Sequence, residues 1–304
     1  MKIKLPALSL CLGMLAVPLF AGSTVETSTP NETSAATFPF EFDAEFSYIG
    51  GSDVARGFRR IRDFDEVYAA GRFLYTPRIK FGILRLGAAY ERFGFDMPRG
   101  VQLPDTLQSI SAIVGLDTRL GDSILVRFEA QPGFYGTNDR FGEGTFHVPF
   151  ILGGTYILNP NVQFVLGASV DYERKFPVFP GGGIRWRLND KLVLNAVAPT
   201  PRLEFEASKS LTLYAGADLK GSTFRTDNRF GTREAGDRRL NHALLSYTEV
   251  RTGVGVEFKL SPDIKLSLEG GYLPYREFDF HRTNVRYHQE QGAPYGSIGF
   301  RAAF

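Results

Sequence analysis

Residues 37–48 read Thr37-Phe38-Pro39-Phe40-Glu41-Phe42-Asp43-Ala44-Glu45-Phe46-Ser47-Tyr48. Successive side chains of a strand point to opposite faces. Phe38, Phe40, Phe42, Ala44, Phe46 and Tyr48 therefore share one face, and Glu41, Asp43, Glu45 and Ser47 share the other. One face is aromatic and the other charged, over the ~10 residues that a tilted strand needs to cross a bilayer. The same alternation recurs along most of the chain. It predicts an all-β fold, an up-and-down antiparallel transmembrane β-barrel.

The N-terminus agrees with export. Met1-Lys2-Ile3-Lys4 precedes an apolar run from Leu5 to Phe20 and the small residues Ala21-Gly22-Ser23. A basic start, a short apolar core and a small-residue exit describe a secretory signal peptide, with cleavage expected after Ala21. The single cysteine, Cys11, lies inside it, so the mature chain has no disulfide framework. The sequence holds 35 Lys+Arg and 33 Asp+Glu, and loss of Lys2 and Lys4 brings the two into balance. That balance argues against a nucleic-acid partner, which would favour a basic excess. No later apolar run approaches the length of a membrane-spanning helix, so any embedded part must be β. Residues 22–36 are small, polar and without period, and are expected to be a disordered periplasmic lead-in to a barrel over 37–304.

From Thr37 onward, strand-like segments alternate with two kinds of connection. Short turns are expected at Thr76-Pro77-Arg78, Gly121-Asp122, Asn159-Pro160-Asn161, Asn189-Asp190, Ser208-Lys209-Ser210 and Ser261-Pro262-Asp263, with a further tight reversal at Ala198-Pro199-Thr200-Pro201. Longer polar or glycine-rich connections are expected near 50–63, 95–105, 137–143, 175–180, 222–244 and 278–293. Alternation of short and long connections fits a barrel with periplasmic turns and outside loops. The segments number about fourteen, or twelve if the short pair around 191–207 does not span. The last strand, Gly296-Ser297-Ile298-Gly299-Phe300-Arg301-Ala302-Ala303-Phe304, ends on an aromatic residue. This ending looks like the mark by which barrel-assembly machinery recognises its clients. The expected location is the outer membrane, with its lipid and lipopolysaccharide as partners.

The inward face is where function would lie. By this register it carries Glu41, Asp43, Glu45, Arg85, Glu91, Arg127, Glu129, Asp171, Glu173, Arg185, Arg187, Arg202, Glu204, Glu206, Arg251, Glu257 and Lys259. Charges inside a barrel meet water or each other. They form either a solvated, salt-bridged lumen or a pore whose opposed acidic and basic walls act on polar solutes. With both signs present, no strong anion or cation preference is expected. Residues 22–36 are too few for the plug domain of an energy-coupled transporter.

Catalysis finds little support. The four histidines are His147, His242, His281 and His288, and no Gly-x-Ser-x-Gly nucleophile motif is present. His147 lies in the strand-like Thr145-Phe146-His147-Val148-Pro149, and Ser246 follows His242 by four residues, a spacing that builds no dyad. His281 and His288 accompany Glu277, Asp279 and Glu290 without a metal-ligand spacing, so no metal or cofactor is expected. The loop over 222–245 carries Arg225, Arg229, Arg233, Arg238 and Arg239, suited to the phosphates of lipopolysaccharide or simply to solvent. Three functions follow in order of preference: a passive channel for small polar solutes or a structural barrel; a barrel enzyme acting on lipid or peptide at the surface; and an uptake barrel for apolar molecules.

The later half resembles an uncharacterised outer-membrane β-barrel domain of Gram-negative bacteria. The segments that carry this are Leu194-Asn195-Ala196-Val197-Ala198-Pro199-Thr200-Pro201-Arg202-Leu203-Glu204-Phe205, Leu211-Thr212-Leu213-Tyr214-Ala215-Gly216-Ala217-Asp218, Arg251-Thr252-Gly253-Val254-Gly255-Val256 and Arg276-Glu277-Phe278-Asp279-Phe280-His281-Arg282. The resemblance implies location and fold. It implies no activity and no site residues.

Overall fold

The computed structural model describes residues 39–304 apart from 58, 99–100, 139–140 and 143. The expected signal peptide, the lead-in over 22–36 and Phe38 lie outside the described residues. The alternation read from the sequence folds into fourteen antiparallel strands closed into a barrel. They are β1 (Phe40–Arg56), β2 (Arg59–Tyr75), β3 (Gly82–Asp96), β4 (Thr106–Arg119), β5 (Ile124–Ala130 and Gly133–Thr137), β6 (Phe146–His147 and Phe150–Asn159), β7 (Val162–Val170), β8 (Val178–Arg187), β9 (Leu192–Val197), β10 (Arg202–Ser208), β11 (Leu211–Arg225), β12 (Leu244–Ser261), β13 (Ile264–Phe280) and β14 (Val285–Gln291 and Ala293–Ala303). The barrel closes where β14 lies against β1, with Glu41 opposite Ala303 and Ile49 opposite Tyr295. Phe40 and Phe304 exchange backbone hydrogen bonds of 3.0 and 2.9 Å at the same seam.

The outward positions hold the apolar set. Phe42, Phe46, Phe73, Phe128, Leu152, Phe164, Leu166, Trp186, Phe205, Val254, Ile298 and Phe300 are all exposed, Leu166 to 75% and Phe46 to 50%. Exposure of so many large apolar side chains has no rationale in water and is what a lipid-facing barrel wall requires.

Two of the expected long connections are strands instead. β1 and β2 run on to Arg56 and Arg59 and reverse at Gly57, whose φ of 57° suits glycine. Likewise β13 and β14 continue to Phe280 and from Val285. Both hairpins are held by packing of their inner faces, which a reading of turn-forming composition does not register.

At the loop end, opposite the short turns, the barrel is pinched. β11 bends across the interior until Arg225 lies parallel to Gly136 of β5. Both strands run toward the loop end, so their meeting is necessarily parallel. β6 to β10 are left outside the pinch. β9 and β10 are also short, at six and seven residues, and the last ladder bonds above them run from Ala198 N–H to Gly182 O and from Leu219 N–H to Pro199 O.

Candidate functional site

Inside the pinch the loop end is packed solid. Phe64 of β2, Phe93 and Phe95 of β3, Phe224 of β11, Tyr247 of β12 and Phe278 of β13 form a buried aromatic cluster. Ring centroids lie 4.8 Å apart for Phe93–Tyr247 and for Tyr247–Phe278, and 5.1 Å for Phe95–Phe278. The connection between β11 and β12 turns back into this cluster. Its two helical turns, Gly231–Ala235 and Arg238–Leu240, bring Phe230, Ala235 and Leu240 against the rings. Gln102 donates to the Ala235 carbonyl (2.6 Å) and Asn138 to Glu234 (2.5 Å), tying this loop to the connections after β3 and β5.

Below the rings, toward mid-height, comes a buried ionic layer. Glu66, Glu249, Arg251 and Arg276 are each at most 1% exposed. Arg276 meets Glu66 at 2.7 Å, Arg251 meets Glu249 at 2.6 Å, and the Tyr247 hydroxyl lies between Glu66 (2.6 Å) and Glu249 (2.7 Å), which share its one proton. Lys220 of β11 reaches Glu45 of β1 at 2.8 Å, across the interior, with three strands between them in the wall. Buried charges persist only when paired and hydrogen-bonded, and here each carboxylate faces a cation or a hydroxyl.

The other side of the barrel is open inside. A chamber of about 500 Å³ lies along β4 to β9. The sequence makes its wall from residues without bulk. Ladder register places Gly153 of β6, Gly167 of β7 and Gly181 of β8 directly opposite one another, with Arg127 of β5 next in the row. Two residues nearer the turns, Thr155, Val165, Gly183 and Val197 form the next row. The last is polar: Gln163, Arg185 and Asn195 stand opposite one another on β7, β8 and β9. Two cations thus bracket a trough of glycine.

Every charged residue expected on the inner face can now be placed. Asp43 is held by Arg72 and Arg301, each at 2.7 Å, and Arg127 by Asp117 at 2.7 Å. Arg85 meets Glu129 at 3.2 Å, Arg187 meets Glu206 at 3.4 Å and Lys265 meets Glu257 at 3.4 Å. Arg202 stacks over Tyr214 at 4.5 Å and lies 3.7 Å from Glu269. Glu91 accepts from Tyr68 at 3.1 Å, while Glu204 lies in the electrostatic reach of Arg185 and Arg202. Glu41 is half-buried at the turn end, and Lys259 is exposed there. The strand expected over 162–173 stops at Val170, so Asp171 and Glu173 stand in the following loop.

There they surround His147. Its Nδ1 is 3.4 Å from Glu173 and its Nε2 is 3.7 Å from Asp171, and its ring lies 4.1 Å from that of Tyr135. Arg225 on the back of β11 pairs with Glu173, and Lys175 reaches Asp279 of β13 at 2.9 Å. This loop therefore straps β7 and β8 to the pinched strands. Burial raises the Asp171 carboxyl, but the neighbouring His147 and Arg174 more than offset it, leaving it below the ordinary aspartate range. Among the described residues no serine or cysteine is hydrogen-bonded to His147, and none of the His, Asp and Glu residues form a group able to hold a metal ion. Ser246 pairs with Thr223 at 3.3 Å, and Glu277 is taken by Arg286 and Tyr275. In the loop after β11, Arg233 is paired with Asp227 and Glu234, and Arg239 with Asp237.

Residues 78–303 match the model of DUF6268, a domain of unknown function. The chain belongs to this family. The match begins just before β3, although the barrel to which the DUF6268 segment belongs is completed by β1 and β2. No curated protein matches the sequence. Among solved structures, an outer membrane channel from Pseudomonas putida F1 is 8% identical with a TM-score of 0.48, covering 92% of this chain and all (100%) of that one. A Pseudomonas aeruginosa FadL homologue is 9% identical with a TM-score of 0.43, covering 88% and 91%. The KdgM porin is 9% identical with a TM-score of 0.37, covering 87% and 99%. Likenesses this loose leave function to be argued from the chain's own residues.

Proposed function

We propose that this chain is an outer-membrane transport barrel that is shut at rest. The aromatic outer face sets it in a lipid bilayer, and the chamber beside β4 to β9 receives small polar solutes. One observation carries the proposal: the connection Thr226–Ala243 folds back onto the ring cluster and closes the packed side at the loop end, while the other side of the interior keeps a chamber of about 500 Å³. A barrel needing only rigidity could fill its whole lumen with side chains, as the β1–β3 and β11–β14 side does. Instead one side carries aligned glycines that keep space open.

Conductance in planar bilayers tests this directly. The refolded chain should show rare openings, and a variant with residues 228–241 replaced by a short Gly-Ser link should conduct steadily. Two folded barrels that both stay silent would end the transport reading. Equal, steady conduction by both would show that the loop is no stopper.

A further inference from the structure

The chamber has its own charge balance, different from that of the barrel as a whole. Five of its lining residues are arginines and only two, Asp117 and Glu129, are acidic. Both acids are already committed, to Arg127 and Arg85. Arg127 and Arg72 are likewise held by carboxylates. Arg185 differs. Glu204 influences it, yet among the described residues no ion pair or side-chain hydrogen bond holds its guanidinium. On the neighbouring strand Asn195 is 5% exposed, lines the same chamber, and its Oδ1 has no hydrogen-bond partner. A buried amide oxygen left without a partner is destabilising, so its place beside an uncommitted guanidinium calls for a polar guest. Gln163 completes the row on the other flank of Arg185.

From these residues we infer that the chamber is a binding site for a small hydroxylated oxyanion. Arg185 takes the carboxylate or phosphate through its planar fork. Asn195 takes a hydroxyl group through its unpartnered Oδ1, and the glycine trough of Gly153, Gly167 and Gly181 receives the carbon skeleton at close range. A volume of about 500 Å³ admits a solute of roughly sugar size. The inference rests on the transport reading for its biological meaning, since it names the solute class, but the site itself is testable without conduction.

Isothermal titration of the refolded full chain in detergent, with gluconate, glucose and glucose 6-phosphate, decides it. Gluconate should bind about tenfold or more tighter than glucose, what one charge-assisted hydrogen bond contributes. Added salt should weaken gluconate and leave glucose unchanged. Arg185→Gln should erase the preference and Arg185→Lys keep part of it, while Asn195→Ala should weaken both sugars a few-fold. Glucose 6-phosphate binding tighter than gluconate would assign the anion to phosphate, and weaker binding would assign it to carboxylate. Equal binding of glucose and gluconate, or a preference that survives in a heat-modifiable, folded Arg185→Gln barrel, overturns the inference. Should Arg185→Gln not fold, a salt-independent gluconate affinity in the native chain overturns it equally. A barrel that binds gluconate but never conducts leaves the site standing and removes transport. One that conducts without an Arg185-dependent preference does the reverse.

Discussion

The two sides of this barrel solve the problem of their interior in opposite ways. On the side of β1–β3 and β11–β14, long side chains meet across the lumen: charged ones at mid-height, where Arg251, Arg276, Glu66 and Glu249 interlock, and aromatic ones at the loop end. On the side of β5–β9, inward positions shrink to glycine and the ions sit apart, at the rows of Arg127 and Arg185. The packed side cannot lose a member without leaving a buried charge or a void. The open side can gain a side chain at little cost where no backbone crowds the new Cβ, as at Gly153. Stability should therefore concentrate on one side and solute handling on the other.

Removing Arg276 is the hardest test of the packed side. Arg276→Ala takes from the buried Glu66 carboxylate its closest cation, at 2.7 Å, leaving it Tyr247 and the more distant Arg251, and takes from the Ser52 hydroxyl the donor at 3.1 Å. Breaking a buried pair in this way costs about 3–5 kcal/mol. Urea unfolding in micelles should show that loss, and the double variant Arg276→Met with Glu66→Gln should recover most of it. A single variant as stable as the native chain would mean that the ionic layer is not structural. Next in size is Phe278→Ala, which empties a site fully buried among Phe64, Phe95 and Tyr247. It should cost about 3 kcal/mol and raise the frequency of channel openings, because the stopper rests on that ring cluster.

The open side sharpens the contrast. A Cβ at Gly153 would meet only the Leu166 carbonyl, at 3.9 Å, whereas one at Gly167 would stand 2.8 Å from the Leu152 carbonyl and 3.2 Å from Gly153 Cα. Gly153→Val should fold with a stability change within about 0.5 kcal/mol and still weaken gluconate by filling the trough. Gly167→Val, overpacked against backbone, should cost about 1–3 kcal/mol. The same denaturation and titration series reads both, and equal effects would erase the distinction between the two positions.

Much of this was legible in the sequence. Period-two alternation in Phe40–Tyr48 and its repeats states which face is greasy, and turn chemistry at Asn159-Pro160-Asn161 or Asn189-Asp190 states where strands reverse. Those two signals give a barrel of about fourteen strands, with twelve left open until the structure shows the short pair Leu192–Val197 and Arg202–Ser208 in the ladder. The pinch was not legible, because alternation fixes the face of a side chain and says nothing of whether a hairpin bends inward. A sign of it was nonetheless present. Along the inner face of β3 the residues run Arg85, Gly87, Ala89, Glu91, Phe93, Phe95, and along β12 they run Glu257, Gly255, Gly253, Arg251, Glu249, Tyr247, Leu245. A polar inner face that turns aromatic toward the loop end marks a filled mouth. The chamber row was half legible: Arg185 follows from alternation, but Gln163 and Asn195 join it only once the turns have fixed the register of three strands.

The smallest expected effect concerns the strap between the two sides. Asp171 sits with His147, Glu173, Arg174 and Arg225, while Lys175 of the same loop holds Asp279. Its carboxyl lies below the ordinary aspartate range when folded, so in the unfolded loop it binds its proton more readily. The stabilisation it gives is complete above the unfolded value, ~3.9, and disappears as the pH falls through the lower folded value. Pepsin, which works across that window, gives the readout at Phe176, exposed beside the strap. Cleavage there should be slow at the upper end of the window and quicken toward its lower end. Asp171→Asn, already uncharged, should be cut at one rate throughout once pepsin's own pH profile is divided out. An unchanged pH response in that variant would place the titrating group elsewhere and reduce the strap to a passive cover.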